Sequence, residues 1–124
     1  MTTTISGSSG IVFPDLTTMQ TGQQAVKAWV NFNGTGTVAI RAGYNVSSIT
    51  DNGVGNYTVN FTTAMADTSF SAIGTVGYTG VAFLILSEVG AGSVTRTTSS
   101  VTLESQNNSG TLVDALQASA AIFR

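Results

Sequence analysis

A chain of 124 residues with a formal charge of −2 and only 8% charged side chains is sized for one domain, and it lacks the basic surface that nucleic acid or an anionic membrane demands. Its 42% hydrophobic content argues against disorder, which goes with low hydrophobicity and high net charge. With no Cys and no His, disulfides, thiolate nucleophiles and Cys/His zinc sites are excluded, and the polar surface falls to Thr, Ser, Asn, Gln and Gly.

Residues 1–24 are polar and turn-rich apart from the short apolar run Ile11-Val-Phe13 ahead of Pro14, the one proline. Proline restricts the residue before it to extended backbone. An extended N-terminal arm or attachment segment is therefore expected over 1–24, with Ile11 and Phe13 as its anchors, followed by a β domain over 25–124. The start, Met1-Thr-Thr-Thr-Ile5, has neither a basic n-region nor a long apolar h-region, so no signal peptide is expected.

From residue 25 the pattern has the period of two that marks strands with two distinct faces. Ala28, Val30 and Phe32 alternate with Trp29 and Asn31, which places Trp29 on the face opposite Val30, where an arm, a further layer or a second subunit must cover it. Asn33-Gly-Thr-Gly36 signals a turn. Val38, Ile40 and Ala42 are then expected on one side of a strand and Arg41 on the other, with Tyr44 and Val46 in phase beyond it. Asp51-Asn-Gly-Val-Gly55 is a hairpin turn leading into the clearest strand, in which Tyr57, Val59 and Phe61 share a dry face opposite Asn56, Thr58, Asn60 and Thr62.

A strand is expected over 70–76, interrupted by Gly77-Tyr-Thr-Gly80. The unbroken apolar run over 81–86 reads as a central strand buried on both faces, too short for the ~20 residues of a membrane-spanning helix. A Thr-rich alternating stretch over 93–103 follows. The segment 111–123 fits both templates: Leu112, Leu116, Ala120 and Phe123 recur at helical spacing, while Val113, Ala115, Gln117 and Ser119 fit a strand, which the all-β context favours.

Catalytic chemistry is not expected. The six acidic residues share no spacing that a strand or helix would gather, and without His or Cys the easiest general base and strongest nucleophile are missing. Gly34-Thr-Gly36, Gly53-Val-Gly55 and Gly90-Ala-Gly92 never complete a phosphate-binding motif, so no cofactor is expected. Asp51-Asn52 offers too few oxygens for calcium, and no metal is expected either. The sequons at Asn45, Asn56 and Asn60 read as products of an Asn/Thr-rich composition. Tyr44 and Tyr78 are candidates for glycan contact, as apolar rings with a polar handle, though a core or interface role competes for both. Ile11, Phe13, Trp29 and Phe123 are more apolar anchors than one small sheet hides, which points to self-association.

The run Lys27-Ala-Trp-Val-Asn-Phe-Asn-Gly-Thr-Gly-Thr-Val-Ala-Ile-Arg41, with Tyr44-Asn-Val-Ser-Ser-Ile49 and Asp51-Asn-Gly-Val-Gly-Asn-Tyr-Thr-Val-Asn-Phe61, resembles a segment recurrent in tail-fibre and related virion proteins of tailed bacteriophages. The lead-in Ile5-Ser-Gly-Ser-Ser-Gly-Ile-Val-Phe-Pro-Asp15 is similar to theirs, so the resemblance spans about residues 5–75; the remainder matches in texture. It implies an antiparallel β-sandwich that closes into a homotrimer within a virion assembled in the host cytoplasm, often where the particle meets the host surface. A tail-fibre or tail-tip domain touching a cell-surface glycan is the leading expectation. A capsid decoration protein or tail adaptor, bound to other virion proteins through residues 1–24 and to no receptor, is the alternative. Neither nucleic acid nor membrane insertion belongs to either.

Overall fold

The computed structural model describes residues 11–12, 18–19, 26–77, 84–88 and 96–124. Among them every regular element is a strand: β1 (Ile11–Val12), β2 (Thr18–Met19), β3 (Val26–Asn33), β4 (Ala39–Tyr44), β5 (Val46–Gly53), β6 (Asn56–Phe61), β7 (Ser71–Gly77), β8 (Leu84–Glu88), β9 (Ser100–Asn107) and β10 (Gln117–Phe123). Two four-stranded antiparallel sheets result, a first in the order β4-β3-β10-β7 and a second in the order β5-β6-β9-β8, as expected for an all-β sandwich. Of residues 1–24, the described pairs β1 and β2 form a separate two-residue ladder with each other, Ile11 opposite Met19. Phe13 and the remainder of the expected arm lie outside the described residues.

The alternation seen in the sequence builds the core directly. Ala28, Val30 and Phe32 of β3 and Ala118, Ala120 and Ile122 of β10 point inward from the first sheet. Tyr57, Val59 and Phe61 of β6 and Val101 and Leu103 of β9 meet them from the second. Phe32 and Tyr57 cross edge to face at 5.2 Å between ring centres, and Phe61 meets Phe70 likewise at 5.7 Å. Truncating a ring of this kind to alanine costs about 3–5 kcal/mol, so these contacts weigh heavily in a domain of modest stability.

The hairpin at 51–55 forms as expected, with Gly53 (φ 122°) and Gly55 (φ 64°) in conformations that disfavour a Cβ. At Asn33-Gly-Thr-Gly36, Gly34 is required for space: a Cβ there would stand 2.4 Å from the Tyr57 hydroxyl.

Three expectations are corrected and a fourth is narrowed. Ile40 and Ala42 do not share a face. The ladder shifts between Asn31 and Phe32, so Ala42 pairs with Asn31 and Ile40 with Phe32, leaving Arg41 as an extra residue in a bulge. Tyr44 and Val46 are not in phase, because Asn45 adopts a left-handed φ of 55° and turns the chain from one sheet into the other; Tyr44 stays exposed while Val46 packs on the core. Of the apolar run over 81–86, residues 84–86 belong to β8, which stands at the end of its sheet beside β9 alone rather than at the centre. Its neighbour on the other flank is β7, the edge of the first sheet, so the sandwich is brought together there, as it is by β4 and β5 at the opposite side. Finally, the strand favoured over 111–123 forms, but only over Gln117–Phe123, where it lies between β3 and β7.

Candidate functional site

The two outer faces of the sandwich differ in kind. On the second sheet, Asn56, Thr58 and Asn60 of β6 stand beside Thr102 and Glu104 of β9 and Ser48 and Thr50 of β5. Their side chains satisfy one another. Thr58 and Thr102 hydroxyls meet at 2.9 Å, and the Asn60 amide donates to Ser48 Oγ at 3.1 Å and Thr50 Oγ1 at 2.9 Å. Asn52 donates to Asn56 Oδ1 and Thr58 Oγ1, and Asn56 to Glu104. The carboxylate of Asp51 accepts from the Gly53 N–H at 3.0 Å, which is turn geometry. Such a face is suited to water.

The first sheet presents something else. Its ladder aligns Tyr44, Trp29, Ala121 and Ile73, one from each strand, in a single row across the outer face. Tyr44 and Ile73 are each 61% exposed and Trp29 is 42% exposed. Phe123 lies on the same face two residues along β10, beside the exposed Val26. The neighbouring row is polar and uncharged: Asn31 donates to Ser119 Oγ at 2.7 Å, flanked by Ala42 and Thr75. Between the rows, Trp29, Asn31, Ile73, Thr75, Ser119 and Ala121 frame a shallow depression of about 370 Å³. No charged side chain lines it.

At the β4 end of this face lies a second, larger groove of about 580 Å³, bounded by Lys27, Tyr44, Asn45, the loop over 62–66 and Arg124. Its wall is pinned by Asn45. The Asn45 amide donates to the carbonyls of Lys27 (3.0 Å) and Thr63 (3.1 Å), while its Oδ1 accepts from the Thr63 N–H at 2.7 Å. Arg124 grips Asp67 with Nε at 3.0 Å and Nη2 at 2.6 Å, and the Arg124 hydrogen bond holds the Asp67 carboxyl below its ordinary range.

Of the residues singled out in the sequence, the structure therefore brings Trp29, Phe123 and Tyr44 together on one face. Ile11 is described only as a paired backbone position in β1, and Phe13 and Tyr78 lie outside the described residues. Sequence reasoning missed Ile73, Lys27 and Arg124. Ile73 sits in a Gly/Ala/Ser-rich strand with little alternation to mark its face, and nothing local links position 27 to 124. Among the described residues no three acidic groups stand together as a metal site, and no helix is long and apolar enough to cross a membrane. Comparison with protein-family models, with curated proteins and with solved structures finds no match for this chain.

Proposed function

We propose that this chain is a non-enzymatic structural protein of a tailed-bacteriophage virion, a tail-fibre or tail-tip domain that contributes to host attachment and assembles with copies of itself. The observation that carries the reading is the contrast between outer faces: one committed to its own polar network, the other an uncharged apolar row of Trp29, Ala121 and Ile73. An apolar row of this kind is unusual on a monomer and suits an interface between copies, where the absence of charge removes the desolvation cost of bringing two identical surfaces together. The threefold form and the virion setting come from the resemblance of residues 5–75 to phage tail proteins. Residues 1–24, with Ile11 and Phe13, are the segment we assign to contact with other virion proteins.

Sedimentation of the full chain at micromolar concentration tests the assembly. A trimer mass is expected, falling to the monomer in the double variant Trp29→Ser, Ile73→Ser while the β signature in circular dichroism is kept. A wild-type monomer would sink the self-assembly reading. Immunogold labelling of intact particles tests the location: gold at the tail agrees with a fibre or tip domain, whereas gold on the shell transfers the chain to the capsid-decoration class.

A further inference from the structure

The groove at the β4 end of the first sheet holds an unusual collection of unspent polar heads. Elsewhere the basic residues are committed. Arg41 donates to the carbonyls of Phe32 and Leu116, and Arg96 donates to the Phe70 carbonyl and lies over the Phe70 ring at 4.5 Å. The remaining two of the chain's four cations, Lys27 and Arg124, both line this groove. Arg124 is shared with Asp67, but the Lys27 ammonium bonds to no other described residue. The hydroxyls of Thr62, Thr63 and Tyr44 likewise have no partner among the described residues, in a molecule whose other Thr and Asn side chains so often bond to each other. The Tyr44 ring is 61% exposed, and Asn45 ties the β3 backbone to the loop beneath it, so the heads are held by a fixed wall.

We infer that this groove binds an acidic saccharide, its carboxylate or phosphate ester meeting Lys27, its ring lying on Tyr44 and its hydroxyls bonding Thr62 and Thr63. The inference rests on the reading of the chain as an attachment domain and names the ligand class of that attachment. A sugar offers a flat apolar face and a rim of hydroxyls, which an aromatic platform flanked by hydroxyls complements. The volume of about 580 Å³ falls within the ~300–1,000 Å³ typical of small-ligand clefts. The charge decides between sugars. Arg124 is committed to Asp67, whereas the Lys27 ammonium bonds to no other described residue, so an acidic saccharide supplies the counter-charge that a neutral one lacks.

The test is a titration of the full-length protein, followed by amide NMR, with three probes: an oligogalacturonate, mannose 6-phosphate and neutral maltotriose. Shifts are expected at Lys27, Tyr44 and Thr63 with one or both acidic probes, with the neutral probe at least ten-fold weaker. Lys27→Gln and Tyr44→Ala should each weaken binding about ten-fold, Lys27→Arg should restore most of it, and raising NaCl from about 50 to about 500 mM should weaken it several-fold. Equal affinity for neutral and acidic probes, or full affinity in Lys27→Gln, overturns the site. Silence with all three probes, when immunogold places the chain at the tail, overturns the site and leaves the attachment reading standing. Gold on the capsid shell overturns the attachment reading itself, and the trimer mass, which depends on Trp29 and Ile73, reports on neither.

Discussion

The Tyr57 hydroxyl joins three separate stretches of chain inside the sandwich. It donates to the Gly34 carbonyl at 3.0 Å, accepts from the Ala115 N–H at 3.1 Å and stands 3.3 Å from Asp114 Oδ1, which also takes the Gly55 N–H at 2.8 Å. Burial pushes the phenol up to about 12 from its ordinary value of 10.0; the Ala115 bond partly opposes this and the Asp114 charge adds to it. The unfolded phenol ionises near pH 10 while the folded one keeps its proton, so this contribution is complete below pH 10 and drains away as the pH rises toward about 12. Denaturant unfolding at rising pH should record a loss of roughly 2–3 kcal/mol across that interval. Tyr57→Phe should abolish this part of the slope, at a cost of about 1–3 kcal/mol at neutral pH, because two buried backbone groups lose their partner. Ser105 gives the opposite case. Its hydroxyl is fully buried on β9 with no hydrogen-bond partner among the described residues, so Ser105→Ala should raise stability by about 1 kcal/mol in the same assay. Tyr57 was legible as a core residue from its alternation with Val59 and Phe61. Its polar partners were not, since they arrive from the loops at 34 and 114–115, which no periodicity connects.

Among the elements, the corner at Asn45 decides how one stretch of strand becomes two. Its left-handed backbone and its three side-chain bonds, to Lys27, Thr63 and the Thr63 N–H, turn β4 of the first sheet into β5 of the second. Asn45→Ala loses the bonds and places a residue ill suited to positive φ there, which should cost about 2–3 kcal/mol. Asn45→Gly loses the same bonds but accepts the backbone, and should be about 1 kcal/mol less damaging; comparing the two unfolding midpoints separates geometry from hydrogen bonding. The same corner explains what the sequence concealed. Strands β3, β6 and β9 alternate without interruption and could be read by eye, whereas the bulge at Arg41 and the turn at Asn45 each reset the phase within a few residues. The β8 run misled for another reason: continuous hydrophobicity does not by itself distinguish a central strand from one whose outer flank lies against the next sheet.

Across the whole molecule, the second sheet faces outward with a satisfied polar lattice and the first with exposed apolar side chains, the face proposed above to join copies of the chain. If copies join there, the midpoint of thermal unfolding must climb with protein concentration, by mass action. Scanning calorimetry over a hundred-fold range should show that climb in the wild type and a flat response in the Trp29→Ser, Ile73→Ser variant. The all-β class and both faces of β3 could be anticipated from residue alternation, but the strand order could not, because pairing between remote segments leaves no mark on either. That order has a bearing on how the chain is made. β10 lies between β3 and β7 and pairs with both along its length. As the polypeptide leaves the ribosome, β3 through β6 can hydrogen-bond to sequence neighbours, yet one flank of β3 stays bare until residues 117–123 follow. During that delay Ala28, Val30 and Phe32 lack Ile122, Ala120 and Ala118 beside them, so the nascent protein is open to clumping or chaperone capture in the seconds before β10 emerges.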